Sequence, residues 1–412
     1  GPAGQIVEIE KTYAITGVYV WDGKASRRSA DPWIIRIRGK KIEAVGPQEE
    51  LKAGAHEISL PGGTALPGLI DAHVHLCLDP KIGPPHEQEA VGRVVRMRSM
   101  EGRAAAMLRS GITTARDLGG GKGLEIELRD RIAQGECDGP RLLCAGQPVT
   151  TPGGHCHFWG GEAEGSQQIE AVIHRQIERQ VDWIKVMATG GVMTKGTTPL
   201  APQFDTAEIA CAVQEAARHG LPVAAHCHGT EGISNAVEAG VRTVEHCSFA
   251  GHSGFGSDFD HAVVEKIARS GAWVSPTVNG GWGRRAFRKP EKQGDPVSHS
   301  EFFERMKRVF EALRAAGVGL IASTDAGIPG VEHHRLAEGL LAFSGYADLD
   351  PAATLRTATS ESAAALGIAS EVGQLQPGLD ADILVVEGDP LRDLSVLQSP
   401  RAVFSAGHPV SL

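Results

Sequence analysis

Two histidines, two positions apart, close the apolar stretch "GLIDAHVHL" at residues 68–76. Alternate side chains of a β-strand point to the same face, so we expect His73 and His75 to point the same way. Neutral imidazole nitrogens are good ligands for transition-metal ions. Two polar residues that leave a core strand for a loop would look the same in the sequence. The metal interpretation therefore needs further ligands elsewhere in the chain.

Four other apolar segments also carry polar residues that could bind a metal ion. They are "DWIKVMATGG" with Lys185, "LPVAAHCHG" with His226 and His228, "RTVEHCS" with His246, and "VGLIASTDAG" with Asp325. A solitary histidine or aspartate at the end of a strand is most often structural. Five such segments in one chain are hard to explain in that way, and they predict a shared metal site.

The elements that must position these residues alternate between strands and helices. Eight candidate core strands occupy residues 68–76, 111–119, 141–149, 182–191, 221–229, 242–248, 272–278 and 318–327. Amphipathic helical segments, such as "TAEIACAVQEAARHG", separate most of them. Alternating strands and helices predict an α/β protein with a parallel sheet, and eight repeats predict a closed (β/α)8 TIM barrel. Side chains at the carboxyl ends of barrel strands converge on one mouth.

Both ends of the chain are rich in short strands and glycine-containing turns. We therefore predict that residues 1–65 and 369–412 form the two halves of a small β-sandwich-like domain. The catalytic barrel would occupy residues 66–368 between them. Residues 191–203 and 279–300 are predicted to be loops.

Composition limits the class of partner. The chain has 412 residues and a formal net charge of −9, which argues against nucleic acid or an anionic membrane as the main partner. No apolar run approaches the roughly 20 residues that a membrane-spanning helix needs. The N-terminus lacks a signal-peptide pattern, and the seven cysteines lack CxxC spacing. These features predict a reduced cytoplasmic protein that acts on a small molecule, and we expect a homo-oligomer.

Several long motifs carry a resemblance to a known family. They are "PGLIDAHVHL", "KVMATGGVMTKGTTP", "GLPVAAHCHGTEGISNAVEAGVRTVEHCS", "ASTDAG" and "GQLQPGLDADILVVEGDP". In order and spacing they resemble the amidohydrolase superfamily of metal-dependent hydrolases, over essentially the whole chain. More narrowly, the sequence is similar to the branch of Xaa-Pro dipeptidases, related carboxypeptidases and imidazolonepropionase-like proteins.

The resemblance implies a centre with two divalent metal ions, for which zinc is the first expectation. His73, His75 and Asp325 would hold one ion, and His226 and His246 would hold the other. Lys185 would be carboxylated by carbon dioxide and would bridge both ions.

A protonated lysine beside two dications in an apolar strand is untenable, and burial lowers the pKa of lysine. The neutral amine can add carbon dioxide and become an anionic oxygen ligand. The alternative is that Lys185 reaches the barrel rim and stays in water.

The implied reaction is attack by a water molecule that the two ions share and make acidic. Asp325 would take the proton of that water and return it to the leaving amine. His155, in "TTPGGHCHFWGG", is the predicted donor to the substrate carbonyl or developing oxyanion. His228 is expected to line the substrate pocket near the second ion. The sequence gives no role to His157, His333 and His334.

The predicted activity is hydrolysis of an amide bond in a dipeptide such as Xaa-Pro or in an N-acyl amino acid. Hydrolysis of a cyclic amide, imidazolone or lactone would use the same residues. The substrate carboxylate would need a cation, and loop residues Lys195, Arg284, Arg285 and Arg288 are candidates. Solvated surface charge is the simpler interpretation of each.

Two further alternatives conflict with particular residues. Deamination with a single metal would require a glutamate a few residues after His226, but Cys227, His228 and Gly229 follow it, and Glu231 falls in the next helical segment. The bridging lysine also argues against deamination. A catalytically inactive, ligand-binding barrel should have lost at least one metal ligand, and every position of the set is filled.

Overall fold

The computed structural model describes residues 11–54 and 56–412. Its strands are β1 Thr12–Val20, β2 Trp33–Arg38, β3 Lys41–Pro47, β4 His56–Ser59, β5 Gly63–Pro67, β6 Leu69–Val74, β7 Ile112–Asp117, β8 Arg141–Cys144, β9 Ile184–Met187, β10 Val223–Gly229, β11 Thr243–Ala250, β12 Trp273–Ser275, β13 Ile383–Glu387, β14 Pro400–Ser405 and β15 His408–Pro409. Its α-helices are α1 Arg93–Arg109, α2 Leu124–Ala133, α3 Gly165–Glu178, α4 Thr206–Arg218, α5 Thr230–Ala239, α6 His261–Ser270, α7 Gly280–Arg285, α8 Glu301–Ala315, α9 Leu336–Ala347, α10 Pro351–Thr357 and α11 Ser360–Leu366. Three short 3-10 helices span Pro85–Gln88, His157–Trp159 and Leu394–Gln398.

Strands from the two ends of the chain form one mixed, eight-stranded sheet. Its order is β15-β14-β13-β5-β1-β2-β3, and β4 pairs with β1 in parallel. The two ends meet where β5 pairs antiparallel with β13. Branched and aromatic side chains of both ends, including Ile15, Ile35, Ile383 and Phe404, are buried together in a separate core. This arrangement accounts for the strand-forming patterns at both ends of the sequence.

The middle of the chain contains two parallel sheets, β6-β7-β8 and β9-β10-β11-β12. Single parallel bridges continue the pairing beyond them, from Val149 to Val186, from Val274 to Leu320 and from Val74 to Ala326. Helices connect most of the successive strands. The fold is therefore a mixed α/β fold, and its sheet topology is compatible with the predicted barrel.

Several of the eight predicted core strands are shorter or less regular than the sequence pattern indicates, the third and the eighth among them. The third ends at Cys144, because Gly146 has a left-handed backbone (φ 71°) and Pro148 cannot donate a ladder hydrogen bond. The eighth, predicted at 318–327, forms no regular strand and pairs with its neighbours through isolated bridges at Leu320 and Ala326 and through single backbone hydrogen bonds. Its Asp325 also has a left-handed backbone (φ 60°), which does not fit a regular strand.

Two of the helices between the strands have ends that local residues explain. Asp205 and Glu208 form a capping box at the start of α4, and α6 ends on Gly271, which has φ 75°. Part of the predicted loop 279–300 is helical instead. Helix α7 forms there because the side chain of Asn279 accepts a hydrogen bond from the backbone N–H of Gly281. Over the described residues, every helix is too short or too polar to cross a membrane.

Candidate metal centre and active site

His73, His75 and Asp325 form the first group of candidate metal ligands. The Nε2 atoms of the two histidines lie 3.1 and 3.2 Å from Oδ1 of Asp325 and 3.2 Å from each other. The Nδ1 atoms face acceptors, Glu245 Oε1 for His73 and the carbonyl of Gly119 for His75, each at 2.9 Å. When Nδ1 donates to these acceptors, Nε2 keeps its lone pair. Two lone pairs and a carboxylate oxygen then face one another, an arrangement that a cation would stabilise.

His226, His228 and His246 form the second group. One ligand nitrogen from each lies within 4.8 Å of the others, and all three side chains are buried. The rings of His228 and His246 stack 4.3 Å apart, and that of His226 lies 4.9 and 4.7 Å from them. Nε2 of His226 is 3.0 Å from the carbonyl of Gly190, so its Nδ1 is the nitrogen free to bind a metal. His228, which is predicted to line the substrate pocket near the second ion, therefore lies beside His226 and His246.

The imidazoles of the second group are held in their neutral form. Burial lowers the pKa of His228 to about 4, and it moves the pKa values of His226 and His246 well below their usual range. Nδ1 of His246 is 2.8 Å from the hydroxyl of Thr277, and Nδ1 of His228 is 2.7 Å from that of Ser248. Because a metal ion binds the neutral ring, this environment favours metal binding.

Backbone strain is concentrated around both groups. His246, Thr277 and Asp325 have left-handed backbones, with φ of 70°, 57° and 60°. Non-glycine residues adopt this region rarely, at a cost of about 1–3 kcal/mol each, and they do so where surrounding structure enforces it. Here the strain accompanies side chains that line a single cavity.

Lys185 lies on β9 and lines the same cavity, with only 1% of its surface exposed. Burial is the largest influence on its amine and lowers its pKa, although Glu245 and Asp325 oppose the change. Those two carboxylates pair elsewhere, Glu245 with Arg116 and Asp325 with His73. The surroundings therefore favour a neutral amine, the form that adds carbon dioxide.

Glu245 is a buried residue to which the sequence analysis assigned no function. Its carboxylate accepts hydrogen bonds from Arg116 Nη2 at 3.0 Å, from the hydroxyl of Thr243 at 2.7 Å and from His73 Nδ1 at 2.9 Å. Burial raises its pKa, but Arg116 and His73 outweigh that effect and lower the pKa to about 2. An ionised Glu245 therefore orients His73. The signal in the sequence is a pair of charges, Glu245 and Arg116, within apolar strands.

A second buried carboxyl group, that of Asp71 on β6, contacts the segment that carries Asp325. Asp71 accepts a 2.6 Å hydrogen bond from the hydroxyl of Thr324 and a 3.1 Å bond from its backbone N–H. Burial raises the pKa of Asp71 to about 7. These bonds tie β6 to the residue before Asp325 and thereby fix the position of the first ligand group.

His155 lies beside the second group, on the segment that follows β8. Its ring is 4.4 Å from that of His226, and its Nδ1 is 2.9 Å from the hydroxyl of Thr194. Burial lowers its pKa to about 3, so the ring is neutral. It lines the cavity together with the ligand groups.

The three histidines without a predicted role, His157, His333 and His334, have different surroundings. His333 is buried, and its Nε2 lies 2.8 Å from the carbonyl of His75, so it supports the backbone of a candidate ligand. His334 is partly exposed, and its Nε2 lies 3.9 Å from Oε2 of Glu332. His157 begins a 3-10 helix, with its ring against Phe158.

The cavity that joins these groups has a volume of about 530 Å3. Much of its outer lining is apolar and comes from Val192, Met193, Phe255, Trp282, Ile328 and Val331. Of the described residues that line it, Asp325 is the only acidic one. Both ligand groups, Lys185 and His155 therefore face a space of the size that small-molecule substrates occupy.

The match to a family defines the class of protein. Residues 64–410 match the model of the amidohydrolase family, so the chain belongs to that family. The resemblance found in the sequence is thereby confirmed. The protein is a metal-dependent enzyme that hydrolyses amide bonds.

Relatives cover most of this chain. It is 27% identical to an ochratoxinase of Aspergillus niger, over 93% of this chain and 82% of the relative. It is also 27% identical to an imidazolonepropionase of Chloroflexus aggregans, over 87% of this chain and 85% of the relative. Among solved structures, a Xaa-Pro dipeptidase with methionine bound in its active site superposes with a TM-score of 0.83 and 26% identity, covering 97% of this chain and 99% of the other.

Proposed function

We propose that this enzyme is a binuclear amidohydrolase that cleaves a linear amide, either a dipeptide such as Xaa-Pro or an N-acyl amino acid. The observation that carries the proposal is that two groups of metal-ligand side chains and one buried lysine line a single cavity. The likeness to an ochratoxinase and to a Xaa-Pro dipeptidase supports it. In this proposal residues 66–368 form a closed (β/α)8 barrel, and residues 1–65 and 369–412 form the β-domain, of which residues 1–10 and 55 lie outside the described part.

Each of the two groups of candidate ligands would hold one ion. His73, His75 and Asp325 would hold one ion, His226 and His246 the other, and carboxylated Lys185 would bridge them. His228 would line the pocket, close enough to the second ion to bind it as well. When bound, the ions supply an activated water molecule and polarise the scissile carbonyl. Zinc, which suits this ligand set, stays a prediction, as do the homo-oligomer and the cytoplasmic location.

Asp325 would transfer the proton, and His155 would stabilise the charge that develops on the substrate. Asp325 would take the proton of the attacking water, because its carboxyl group is ionised and free to accept one. Burial raises the pKa of this group, but His73 and His75 outweigh burial and hold the pKa well below its usual range. His155 would donate a hydrogen bond to the carbonyl oxygen as negative charge develops there. In the tautomer that this role requires, the Thr194 hydroxyl donates to Nδ1 and Nε2 carries the proton.

The role of His155 predicts the effect of removing its ring. We expect His155→Ala to lower kcat about 10²–10³-fold, the loss typical of a missing oxyanion donor. Metal content should stay at the wild-type value, because His155 is not among the proposed ligands. Steady-state kinetics and elemental analysis measure the two effects. His157→Ala is the matched control, since it removes a neighbouring ring outside the cavity lining. A His155→Ala enzyme with near-normal kcat would rule out the donor role.

Arg285 is the proposed anchor for the carboxylate of the substrate. It lines the cavity from α7, and its guanidinium lies 3.6 Å from the ring centroid of Phe302 and 5.9 Å from that of Phe255. Its neighbour Arg284 is 3.4 Å from Glu338, whereas no carboxylate among the described residues pairs with Arg285. Phe255 in turn stacks 4.8 Å from His228. An arginine held by aromatic rings at the edge of an apolar cavity suits a carboxylate with an apolar neighbour.

This anchor predicts which substrates the enzyme prefers. We expect the metal-loaded enzyme to hydrolyse dipeptides or N-acyl amino acids with a free carboxylate better than the same compounds as methyl esters. Arg285→Met should raise KM for the free acids about tenfold to a hundredfold, because a charge-assisted hydrogen bond contributes about 1.5–3 kcal/mol. It should leave the esters unaffected, and kcat should change less.

Arg288→Met is the control, because Arg288 is exposed and lies outside the cavity lining, whereas Arg284 lines the cavity as Arg285 does. If Arg285→Met raises KM for acids and esters alike, Arg285 supports the pocket without binding the carboxylate. If the enzyme hydrolyses cyclic amides or imidazolones but not linear amides, the substrate is cyclic and the same metal site acts on it.

A further inference from the structure

A third group of metal-ligand side chains lies away from the cavity, where helices α3 and α4 pack side by side. His174 comes from α3, Glu215 comes from α4, and His219 caps the end of α4. Glu215 and His219 are four residues apart and therefore share one face of the helix. A helix that joins two parallel strands runs back towards the start of the next strand. The end of α4 therefore lies opposite the strand ends that hold the metal centre.

The donor atoms of this group converge on one carboxylate oxygen. Nε2 of His174 lies 2.5 Å and Nε2 of His219 lies 3.7 Å from Oε1 of Glu215. A tetrahedral ion with bonds of about 2.0–2.2 Å separates its ligand atoms by roughly 3.3–3.6 Å. To bind an ion, the His174 contact would lengthen by about 1 Å and the His219 contact would shorten by a few tenths of an ångström.

Glu215 is already held in position for such an ion. Its side chain is only 7% exposed, and its other oxygen, Oε2, accepts a 3.0 Å hydrogen bond from Arg218. That bond leaves Oε1 for the imidazoles, and an outer hydrogen bond that orients a carboxylate ligand is a regular feature of metal sites. The side chains of His174 and His219 are 53% and 40% exposed, so an ion can enter directly from solvent.

We propose that His174, Glu215 and His219 bind one additional divalent transition ion, such as Zn2+, Ni2+ or Cu2+, separate from the catalytic centre. Two imidazoles and one carboxylate suit these ions, whereas Mg2+ and Ca2+ prefer oxygen ligands alone. Water would complete the coordination, so the site is open and weaker than one with four protein ligands. The bound ion would link α3 to α4 and stabilise the outer layer of the fold.

The competing explanation is a pair of imidazolium–carboxylate contacts without an ion, and metal titration separates the two. The enzyme is first loaded at its catalytic centre and freed of excess metal. It is then titrated with Zn2+ in a calorimeter at mildly alkaline pH, where imidazoles are neutral. We expect the wild type to bind one further ion per chain. His174→Gln and His219→Gln should each weaken that step at least tenfold and leave amide hydrolysis unchanged.

The chain offers a matched control in His261. Its Nε2 lies 3.7 Å from Glu265 with the same four-residue spacing as Glu215 and His219, but the pair is not among the groups of three candidate ligands. His261→Gln should therefore bind the extra ion as the wild type does. Electron paramagnetic resonance with Cu2+ as the probe should detect two nitrogen ligands in the wild type and one in His174→Gln. A wild type that binds no extra ion, or a His174→Gln variant that binds it equally well, would overturn the proposal.

Discussion

Lys185→Ala is expected to lose bound metal and activity together. The amine of Lys185 is buried in the cavity that both ligand groups line, and the proposal makes its carboxylated form the bridge between the two ions. Without the bridge each ion keeps fewer protein ligands, and the charge of the two dications is less well offset. After loosely bound metal is removed, which also empties the weaker site at His174, Glu215 and His219, we expect elemental analysis to give about two ions per wild-type chain and well below one per variant chain. We expect kcat to fall in the same proportion or more.

Chemical rescue makes this prediction specific. A short carboxylic acid such as acetate or propionate can occupy the space left by the lysine and supply the missing oxygen ligand. Added to Lys185→Ala with metal, it should restore part of both metal content and activity. Lys195→Ala is the control, because Lys195 is an exposed lysine on a loop next to the cavity residues Met193 and Val192. A Lys185→Ala enzyme that keeps two ions and normal turnover would identify Lys185 as a structural residue only.

The candidate ligands could be predicted from the sequence because each is a polar residue within or just after an apolar segment. A buried His or Lys such as His73 or Lys185 stands out against its neighbours, and alternation along a strand gives its direction. Helix ends were predictable for a similar reason, since the Asp205 capping box and Gly271 are local signals.

The residues that orient the ligands were harder to predict, because their partners are far away in the sequence. Glu245 and Arg116 are 129 positions apart, and nothing near either residue indicates that they form an ion pair. Thr324 and Asp71 are separated by 253 positions. The pocket role of Arg285 also depended on α7, a short helix in a segment predicted to be a loop. Long-range pairing and loop conformation are set by tertiary packing, which local patterns do not encode.

Asp325→Asn is expected to separate metal binding from proton transfer. Asparagine keeps the size of the side chain and one oxygen that can face His73 and His75, but it cannot take a proton from the attacking water. A general acid–base group typically accelerates a reaction about 10²–10⁴-fold, so we expect kcat to fall at least about 10²-fold. Metal content and KM should change much less. Asparagine also tolerates the left-handed backbone at this position (φ 60°), so the fold should be retained.

The pH dependence provides an independent test of the same role. The pKa of Asp325 is lowered because His73 and His75 outweigh the opposing effect of burial. The base is therefore active above that low pKa, and kcat/KM of the wild type should fall as the pH drops through it. This acidic limb should disappear or move in Asp325→Asn. Asp348→Asn is the matched control, because it makes the same change at an exposed residue with a left-handed backbone (φ 51°). The Asp325→Asn protein must be shown to carry its metals and to be free of deamidation. If it then keeps activity within about tenfold of wild type, the loss is smaller than a general base typically contributes. Another group would then take the proton, and His155 is the first to test.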